Sequence, residues 1–484
     1  MHRWVSDGAA HDSVHHAPVC HPDTRKTIIG EIMSWIEDPS RTSSVLWFNG
    51  PAGSGKTAIA QSLCKLCVAA QWLAGSFFFS RYVPGRKKVE FLFPTISFAL
   101  SYAIPDVGKI IDAVVAHDPS IPTKALEIQL QKLILEPLQQ VSGQSKEPIV
   151  FIIDGLDECE GEDMQCNLLQ LLGSVFQRPS VGRCDRVCFI VTSRPEPWIH
   201  NEFTIEPLSS ITRQIFLGQT SEANDDIRTF FRLGFTEIHD SPKHRLTMSN
   251  VAKPWPSYRV LDKLVNKASG QFIYPATVLK FVDDPNYRPT DRLNIITSMP
   301  VISPSALAQK PLEALDQLYS QILSTSSDRQ RTLDILCAIY TMQRSGSILA
   351  CGEIVYVEFL RIAEKLLSLQ PGDGFQALRK IRSLVHIPER SLMLDDVDAN
   401  LPLPEYCCQN EDKIRFHHKS FTDYLKDPSR SFEYCVDIKE MDTRLGLACI
   451  VTMQTFSLQP TPSWIACSTF PLSFTYYNIS NPSP

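Results

Sequence analysis

The sequence GPAGSGKT at residues 50–57 decides the fold of this chain. It follows the apolar run SVLWF at residues 44–48 and precedes the helix-like stretch AIAQSL at residues 58–63. A glycine-rich loop between a strand and a helix is the complete phosphate-binding loop (P-loop) pattern in its required setting. Its members are Gly50, Pro51, Ala52, Gly53, Ser54, Gly55, Lys56 and Thr57. The pattern predicts an α/β fold that binds a nucleotide.

The residue types of this loop suit phosphate binding. Glycines let the backbone curl so that successive amide N–H groups converge on phosphate oxygens, and the positive end of the following helix adds to that attraction. The positively charged side chain of Lys56 would contact the β- and γ-phosphates, and the hydroxyl of Thr57 would hold Mg²⁺.

A second signal is the stretch PIVFIIDGLDE at residues 148–158. A wholly apolar strand that ends in a carboxylate places Asp154 at the carboxyl edge of a parallel sheet, where ligands bind in open α/β folds. Asp154 is therefore the candidate Mg²⁺ ligand. Asp157 or Glu158 would activate a water molecule for attack on the γ-phosphate.

A third apolar strand, RVCFIVTS at residues 186–193, runs into Arg194 and Pro195. Proline ends the strand because it lacks an N–H group. Arg194 is then left at the strand end, where a cation could sense a phosphate.

Composition limits the class of protein. The chain has 484 residues, 43% hydrophobic and 21% charged residues and a net charge of −6, so it is long enough for about three structural units and has no overall basic field that would favour nucleic acid. No apolar run reaches the length of a membrane-spanning helix, and the first residues lack the apolar core of a secretory signal. The 14 cysteines are scattered, which suits a reducing compartment. These observations predict a cytoplasmic protein with no stable membrane insertion.

Hydrophobic periodicity predicts the remaining elements. A strand is expected at residues 75–80, and Cys64 and Cys67 are expected to be core thiols in the helix after the P-loop. Helices are expected at residues 24–38, 93–103, 123–141, 225–235 and 257–281.

Together, the sequences GPAGSGKT, IVFIIDGLDE and CFIVTSRPEPW resemble those of NACHT-type STAND nucleoside triphosphatases, in particular the nephrocystin-like NACHT group of mushroom-forming fungi. Further similar stretches are CHPDTR at 20–25, DIR at 226–228, WP at 255–256, GQFIY at 270–274 and FHHKSFTDYL at 416–425. The similarity covers about residues 20–450.

The resemblance implies a parallel five-stranded sheet flanked by helices, in which the strand before Arg194 lies between the P-loop strand and the acidic strand. Small helical and winged-helix domains would follow. In such proteins ADP holds a closed state, and exchange for ATP opens an oligomerising state. By this resemblance Thr24 and Arg25 lie near the adenine, and Arg194 senses the γ-phosphate.

One position differs from the family pattern, and another matches a residue that related proteins use to bind ADP. Phe272 stands where many STAND proteins have a proline that touches the base. His417 or His418 occupies the place where related switches use a histidine to contact the β-phosphate of ADP, and His418 is the residue assigned here. The stretches 384–387 and 413–416 are expected to pair as the wing of the winged-helix unit.

The resulting domain prediction has five parts. They are a disordered arm at 1–19, a NACHT P-loop domain at 20–206, a small helical domain at 207–300, a winged-helix domain at 301–450 and a disordered or truncated tail at 451–484. No 20- to 50-residue repeat is visible, so the sensor array that family members usually carry is expected to be missing.

Three functions remain open from the sequence. The first is a signalling switch that binds ATP or ADP, hydrolyses ATP slowly with Mg²⁺ and associates with itself, in fungi in non-self recognition or programmed cell death. The second is a nucleotide-binding scaffold or decoy without turnover. The third is a metabolic P-loop kinase, although no second substrate motif is visible.

Overall fold

The structure is a computed structural model. It describes residues 2–6, 8–13, 18–81, 84–141, 147–177, 186–300, 310, 312–345, 357–387 and 414–456. The chain divides into two compact units, one of residues 1–230 with 270–272 and one of residues 231–269 with 273–484.

The first unit is built on a parallel sheet of five strands. The strands are β1 (Val45–Asn49), β2 (Leu73–Phe78), β3 (Ile149–Asp154), β4 (Val187–Ser193) and β5 (Thr212–Phe216). Their order is β2-β3-β4-β1-β5, with parallel pairing throughout. The strand that precedes Arg194 therefore lies between the P-loop strand and the acidic strand, which confirms the implied topology.

The predicted boundary at residue 206 is wrong, because β5 lies beyond it and pairs with β1. Of the five residues of β5 only Ile215 is buried, so this edge strand lacks the continuous apolar run by which the inner strands are recognised.

Side chains alternate between two cores, one on each face of the sheet. On one face Trp47, Phe151 and Phe189 are fully buried among residues of the helices that follow β2, β3 and β4. On the other face Phe48 and Ile152 pack with the helices before and after the P-loop. Because both faces are covered, the inner strands are apolar at nearly every position.

Ten helices with bounds entirely inside the first unit are described. They are α1 (Lys26–Glu37), α2 (Lys56–Ala69), α3 (Pro84–Lys87), α4 (Leu92–Ala103), α5 (Pro105–His117), α6 (Leu126–Leu130), α7 (Glu136–Val141), α8 (Glu162–Gln177), α9 (Pro197–Thr204) and α10 (Leu208–Ile211). The helix predicted at 123–141 is interrupted by a π-helical segment, Gln131–Leu135, between α6 and α7. Helix α5 was not predicted from the sequence. Cys64 and Cys67 are buried in α2, as expected for core thiols.

The prediction of a disordered arm at residues 1–19 is wrong for its described part. The amide of Phe78 donates to the carbonyl of Ala9 at 2.8 Å, and Gln61 Nε2 donates to the carbonyl of His11 at 2.6 Å. Ala9 is fully buried. Since β2 is the edge of the sheet, its outer backbone groups need a partner, and this segment supplies one.

Helix α11 (Ser221–Asp240) contains the boundary between the units. The α-helices beyond it, among the residues that the structure describes, are α12 (Arg245–Met248), α13 (Tyr258–Ala268), α14 (Ile273–Val282), α15 (Pro289–Ser298), α16 (Glu313–Leu323), α17 (Arg329–Ser345), α18 (Val357–Leu366), α19 (Asp373–Arg379), α20 (Lys419–Lys426), α21 (Pro428–Ser431) and α22 (Ile438–Phe456). The helix expected at 257–281 is two helices, because Ser269 and Gly270 both adopt a positive φ.

Two short strands of the second unit pair as expected from the sequence. Strand β6 (Val385–His386) runs antiparallel to β7 (Arg415–Phe416), with Val385 opposite Phe416. Whether this hairpin belongs to a winged-helix domain stays a prediction. The loop between the strands and residues 457–484 of the predicted tail lie outside the described residues. The predicted start of the tail at residue 451 is wrong, because residues 451–456 belong to α22. Among the residues that the structure describes, no helix has both the length and the apolarity needed to cross a membrane.

Candidate nucleotide-binding site

The P-loop joins the carboxyl end of β1 to the start of α2. Gly55 has φ +93°, a left-handed conformation that costs glycine little. At Gly50 a Cβ would lie 2.8 Å from the Cβ of Leu217, so the loop is packed too closely there for a side chain. Both glycines are thus required by the path of the backbone.

The polar groups of the loop suit an anionic ligand. The Lys56 ammonium donates to the carbonyl oxygens of Gly50 at 2.6 Å and of Pro51 at 2.9 Å. Ser54 Oγ is buried and has no hydrogen-bond partner among the described residues. A cation and an unpartnered hydroxyl at the start of a helix match the needs of phosphate oxygens.

Asp154 ends β3 and is buried. The Thr192 hydroxyl donates to Asp154 Oδ1 at 2.5 Å, and Thr57 also forms a hydrogen bond with this carboxylate. Burial raises the pKa of Asp154 to about 6, although these hydrogen bonds and Lys56 oppose the rise. The donors are a carboxylate and a hydroxyl, the oxygen ligands that Mg²⁺ prefers. The residues present therefore fit a Mg²⁺ site.

Asp157 and Arg194 form a pair at the ends of β3 and β4. Asp157 is buried, and its Oδ1 accepts a hydrogen bond from the Arg194 amide at 3.1 Å. Its Oδ2 lies 3.4 Å from Arg194 Nε. The carboxylate thus orients the arginine through both its backbone and its side chain.

Glu158 lies at the end of a turn that begins at Gly155. The turn closes through the Glu158 amide, which donates to the Gly155 carbonyl at 2.7 Å, and Gly155 has φ +71°. The Arg81 amide lies 3.4 Å from Glu158 Oε2. Unlike Asp157, Glu158 is partly exposed, so solvent reaches this side chain.

Arg25 connects three parts of the first unit. Its Nη2 donates to the carbonyl of Ser54 in the P-loop at 2.9 Å, and its amide donates to Asp226 Oδ2 at 3.1 Å. The guanidinium lies 4.6 Å from the centre of the Phe272 ring, a cation–π contact. Thr24 is buried, and its hydroxyl donates to the carbonyl of His21 at 3.0 Å. The structure thus places Arg25 beside the P-loop and gives Thr24 a local contact.

His418 lies in the second unit, at the start of α20. Its Nδ1 accepts a hydrogen bond from the Ser420 amide at 3.0 Å, which caps the helix. His417 is held by Lys280 Nζ at 2.8 Å and by the Arg382 carbonyl at 3.0 Å. Burial and the nearby Lys280 lower the pKa of His417 to about 3, so the ring is neutral. The contact of His418 with a nucleotide stays a prediction.

Sequence reasoning missed two contributors to this site. Thr192 binds the Asp154 carboxylate from the neighbouring strand, and Asp226 holds the backbone of Arg25. Only for Asp226 was there a signal, the DIR stretch at residues 226–228. Nothing in the local sequence marks Thr192, because its role depends on the pairing of β3 with β4.

The sheet order, the P-loop and the acidic strand end define a P-loop NTPase domain. Residues 25–194, about a third of the chain, match the family described as "Nephrocystin 3, N-terminal". This region of the P-loop domain is therefore similar to that family. Among curated proteins, none matches the sequence.

The solved structures that resemble this chain share low sequence identity with it. A STAND protein with a tetratricopeptide repeat sensor from Pyrococcus horikoshii has 13% identity and a TM-score of 0.43, with 92% of this chain and 47% of that chain covered. The chain thus spans about half the length of that protein. Cdc6p from Pyrobaculum aerophilum has 12% identity and a TM-score of 0.31, with 78% of this chain and 91% of that chain covered. The ORC2 protein of Aeropyrum pernix, solved as ADPNP and ADP complexes, has 11% identity and a TM-score of 0.33, with 92% of this chain and 100% of that chain covered.

Proposed function

We propose that this protein is a signalling switch of the NACHT/STAND class that binds ATP or ADP and hydrolyses ATP slowly with Mg²⁺. The observation that carries this proposal is the meeting of three strand ends at one edge of the sheet. The P-loop after β1, Asp154 at the end of β3 and Arg194 after β4 belong to paired strands. This edge is where parallel α/β sheets bind their ligands.

Binding begins with the P-loop. Lys56 must exchange the carbonyl oxygens of Gly50 and Pro51 for phosphate oxygens, and the Ser54 hydroxyl gains a hydrogen-bond partner. Arg25 holds the loop through the Ser54 carbonyl, so the backbone is supported before the ligand arrives. Thr57 and Asp154 would hold Mg²⁺, which when bound neutralises charge on the phosphates.

Asp157 and Glu158 have different roles in this proposal because their contacts differ. Asp157 is buried against Arg194 and is therefore a positioning residue for that arginine. Glu158 is partly exposed and is the candidate general base, which would take a proton from the attacking water at its carboxylate. Arg194 would then contact the γ-phosphate and distinguish ATP from ADP.

The output of such a site is conformational. We propose that hydrolysis is slow, that nucleotide exchange controls self-association and that the protein acts in the cytoplasm. We propose that this activity serves non-self recognition or programmed cell death, a role supported by the resemblance to the fungal NACHT group, with an activating ligand still to be identified.

The test uses the full chain purified without added nucleotide. The protein is denatured, the released compound is identified by ion-pair chromatography, and turnover of ATP is measured with and without Mg²⁺. Bound ADP with slow Mg²⁺-dependent turnover supports the switch. Bound nucleotide without any turnover supports the scaffold instead, and turnover that depends on an added phosphate acceptor supports a kinase. An empty site in a folded sample that also fails to bind labelled ATP contradicts all three.

A further inference from the structure

Arg25 precedes α1 in an unusual backbone conformation. Its φ of 60° and ψ of 21° lie in the left-handed region, which few residues other than glycine adopt. Such a conformation costs free energy and persists where the surrounding contacts require it. One of these contacts is the carboxylate of Asp226 in α11, which accepts a hydrogen bond from the Arg25 amide at 3.1 Å. The backbone of Arg25 is thus fixed by a residue of another helix.

The side chain of Arg25 is joined to the P-loop. Arg25 is only 7% exposed, and its Nη2 donates to the Ser54 carbonyl at 2.9 Å. In a planar trans peptide group the carbonyl and the N–H point in opposite directions. The Gly55 N–H shares its peptide group with the Ser54 carbonyl and therefore points away from Arg25. Since the amides of such a loop are its phosphate donors, Arg25 sets the direction of one donor.

Phe272 holds the other side of this contact. Its ring centre lies 4.6 Å from the Arg25 guanidinium, within the range of a cation–π interaction. The Phe230 ring packs against Phe272 with its edge, at 5.8 Å between the ring centres. At Gly270 a Cβ would lie 3.0 Å from the Cα of Gln219, so the backbone before Phe272 packs directly on the first unit. The ring therefore has a fixed place beside Arg25.

We propose that Phe272 and Arg25 together position the P-loop for the phosphates and do not read the base. Phe272 holds the guanidinium, the guanidinium holds the Ser54 carbonyl, and the Gly55 amide is thereby directed at a bound phosphate. Both are positioning residues, because neither touches the nucleotide. The inference rests on the proposed function in requiring a phosphate ligand at the P-loop, and it adds Phe272 to the residues that decide how tightly that ligand binds.

The test compares a ligand that has a base with one that has none. Affinities of the full chain for ATP and for inorganic tripolyphosphate, each with Mg²⁺, are measured by titration calorimetry. We expect Arg25→Ala to weaken the binding of both ligands about tenfold, because a hydrogen bond from a charged group to the loop is lost. Lys26→Ala is the matched control, since Lys26 is an exposed cation next to Arg25, and it should bind both ligands as the wild type does.

Phe272 is tested by two substitutions. Phe272→Leu should weaken the binding of both ligands about threefold, the size of a cation–π contact at a partly exposed site. Phe272→Tyr keeps an aromatic ring and should recover most of the affinity. In the Arg25→Ala background, Phe272→Leu should have no further effect, because Phe272 acts through Arg25.

Three results would overturn the inference. A loss of affinity confined to ATP would make the two residues contacts of the base. An unchanged affinity of Arg25→Ala for tripolyphosphate, or a further loss from Phe272→Leu in the Arg25→Ala background, would exclude an action through the P-loop. If circular dichroism shows that Arg25→Ala is unfolded, Phe272→Leu and Phe272→Tyr on the two ligands decide in the same way.

The readout also separates this inference from the proposed function. Because affinity is measured, a protein that binds ATP without turnover contradicts the proposed hydrolysis and leaves the positioning roles standing. A wild-type protein that binds tripolyphosphate but not ATP contradicts the ATP switch, while the tripolyphosphate series still tests Arg25 and Phe272. Binding of neither ligand by the folded wild type overturns both.

Discussion

The sheet edge of the first unit and the start of α20 in the second unit both carry residues that the sequence assigns to phosphate binding, but their contacts differ. At the sheet edge the partners are far apart in sequence, as for Thr192 with Asp154 and Arg194 with Asp157. At α20 His418 binds the amide of Ser420, two residues away. A side chain held by long-range partners at a strand end is placed for a ligand, whereas a side chain that caps its own helix already has a structural role.

The substitution with the largest expected effect is Lys56→Ala in the P-loop. Loss of the ammonium should weaken ATP binding by about 1,000-fold or more, because a charged hydrogen-bond donor to phosphate is removed. Titration with a fluorescent ATP analogue measures this affinity. Lys65→Ala is the matched control, since Lys65 is an exposed lysine on the same helix. Unchanged affinity in Lys56→Ala would refute the P-loop assignment.

Glu158→Gln should separate binding from hydrolysis. The amide keeps the shape of the side chain but cannot accept the proton, so turnover should fall by about 1,000-fold, within the range known for general bases. The affinity for ATP should stay within about twofold of the wild-type value. Release of phosphate in single-turnover and steady-state assays measures the first effect. Wild-type turnover in this variant would move the role of base to Asp157.

Asp154→Asn tests the buried carboxylate through pH. Burial raises the pKa of Asp154 from 3.8 to about 6. The folded state therefore holds this proton more tightly than the unfolded state does, and stability falls as pH rises from about 4 to about 6. At pH 7.5 the wild-type protein must keep the charge buried, at a cost of at most about 3 kcal/mol.

The asparagine variant lacks this cost, so its free energy of unfolding should exceed that of the wild type by more at pH 7.5 than at pH 5. The measurement is denaturant unfolding with a chelator present and without nucleotide. A difference between the two proteins that does not change with pH would show that Asp154 titrates normally.

His418→Ala has the smallest expected effect, and it tests directly whether the start of α20 binds phosphate as the sheet edge is expected to do. Removal of the cap on α20 should lower the free energy of unfolding by about 1 kcal/mol, as for other helix caps. The affinity for ADP, measured on the same samples, decides the second role. A loss of about tenfold or more would establish the phosphate contact that the family resemblance implies, whereas an unchanged affinity would leave His418 as a cap alone.

Much of the nucleotide site was predictable because its signals are local. The P-loop is one continuous stretch, and its glycines are needed by the backbone itself, as the positive φ of Gly55 shows. The strands that lead to Asp154 and Arg194 are apolar at nearly every position, since both faces of the sheet are covered. Local sequence also marked Cys64 and Cys67 as core residues.

Other features could not be predicted from local patterns. Strand β5 has one buried residue, and the segment around Ala9 is polar, so neither shows a periodicity that identifies it. Both are held by backbone hydrogen bonds to strands that are distant in the chain. Residues 1–19 were predicted to be disordered because the sequence does not show that the edge strand β2 needs a hydrogen-bond partner.

The P-loop, the acidic strand end and the arginine strand end can be identified from the sequence alone, because each depends only on neighbouring residues. The different roles of Asp157 and Glu158 follow only from the tertiary structure. Asp157 is buried against Arg194, while Glu158 is partly exposed beside the Arg81 amide. Two adjacent carboxylates are equivalent in a sequence, and they become different because the pairing of β2, β3 and β4 surrounds each of them with different charges and a different exposure to water.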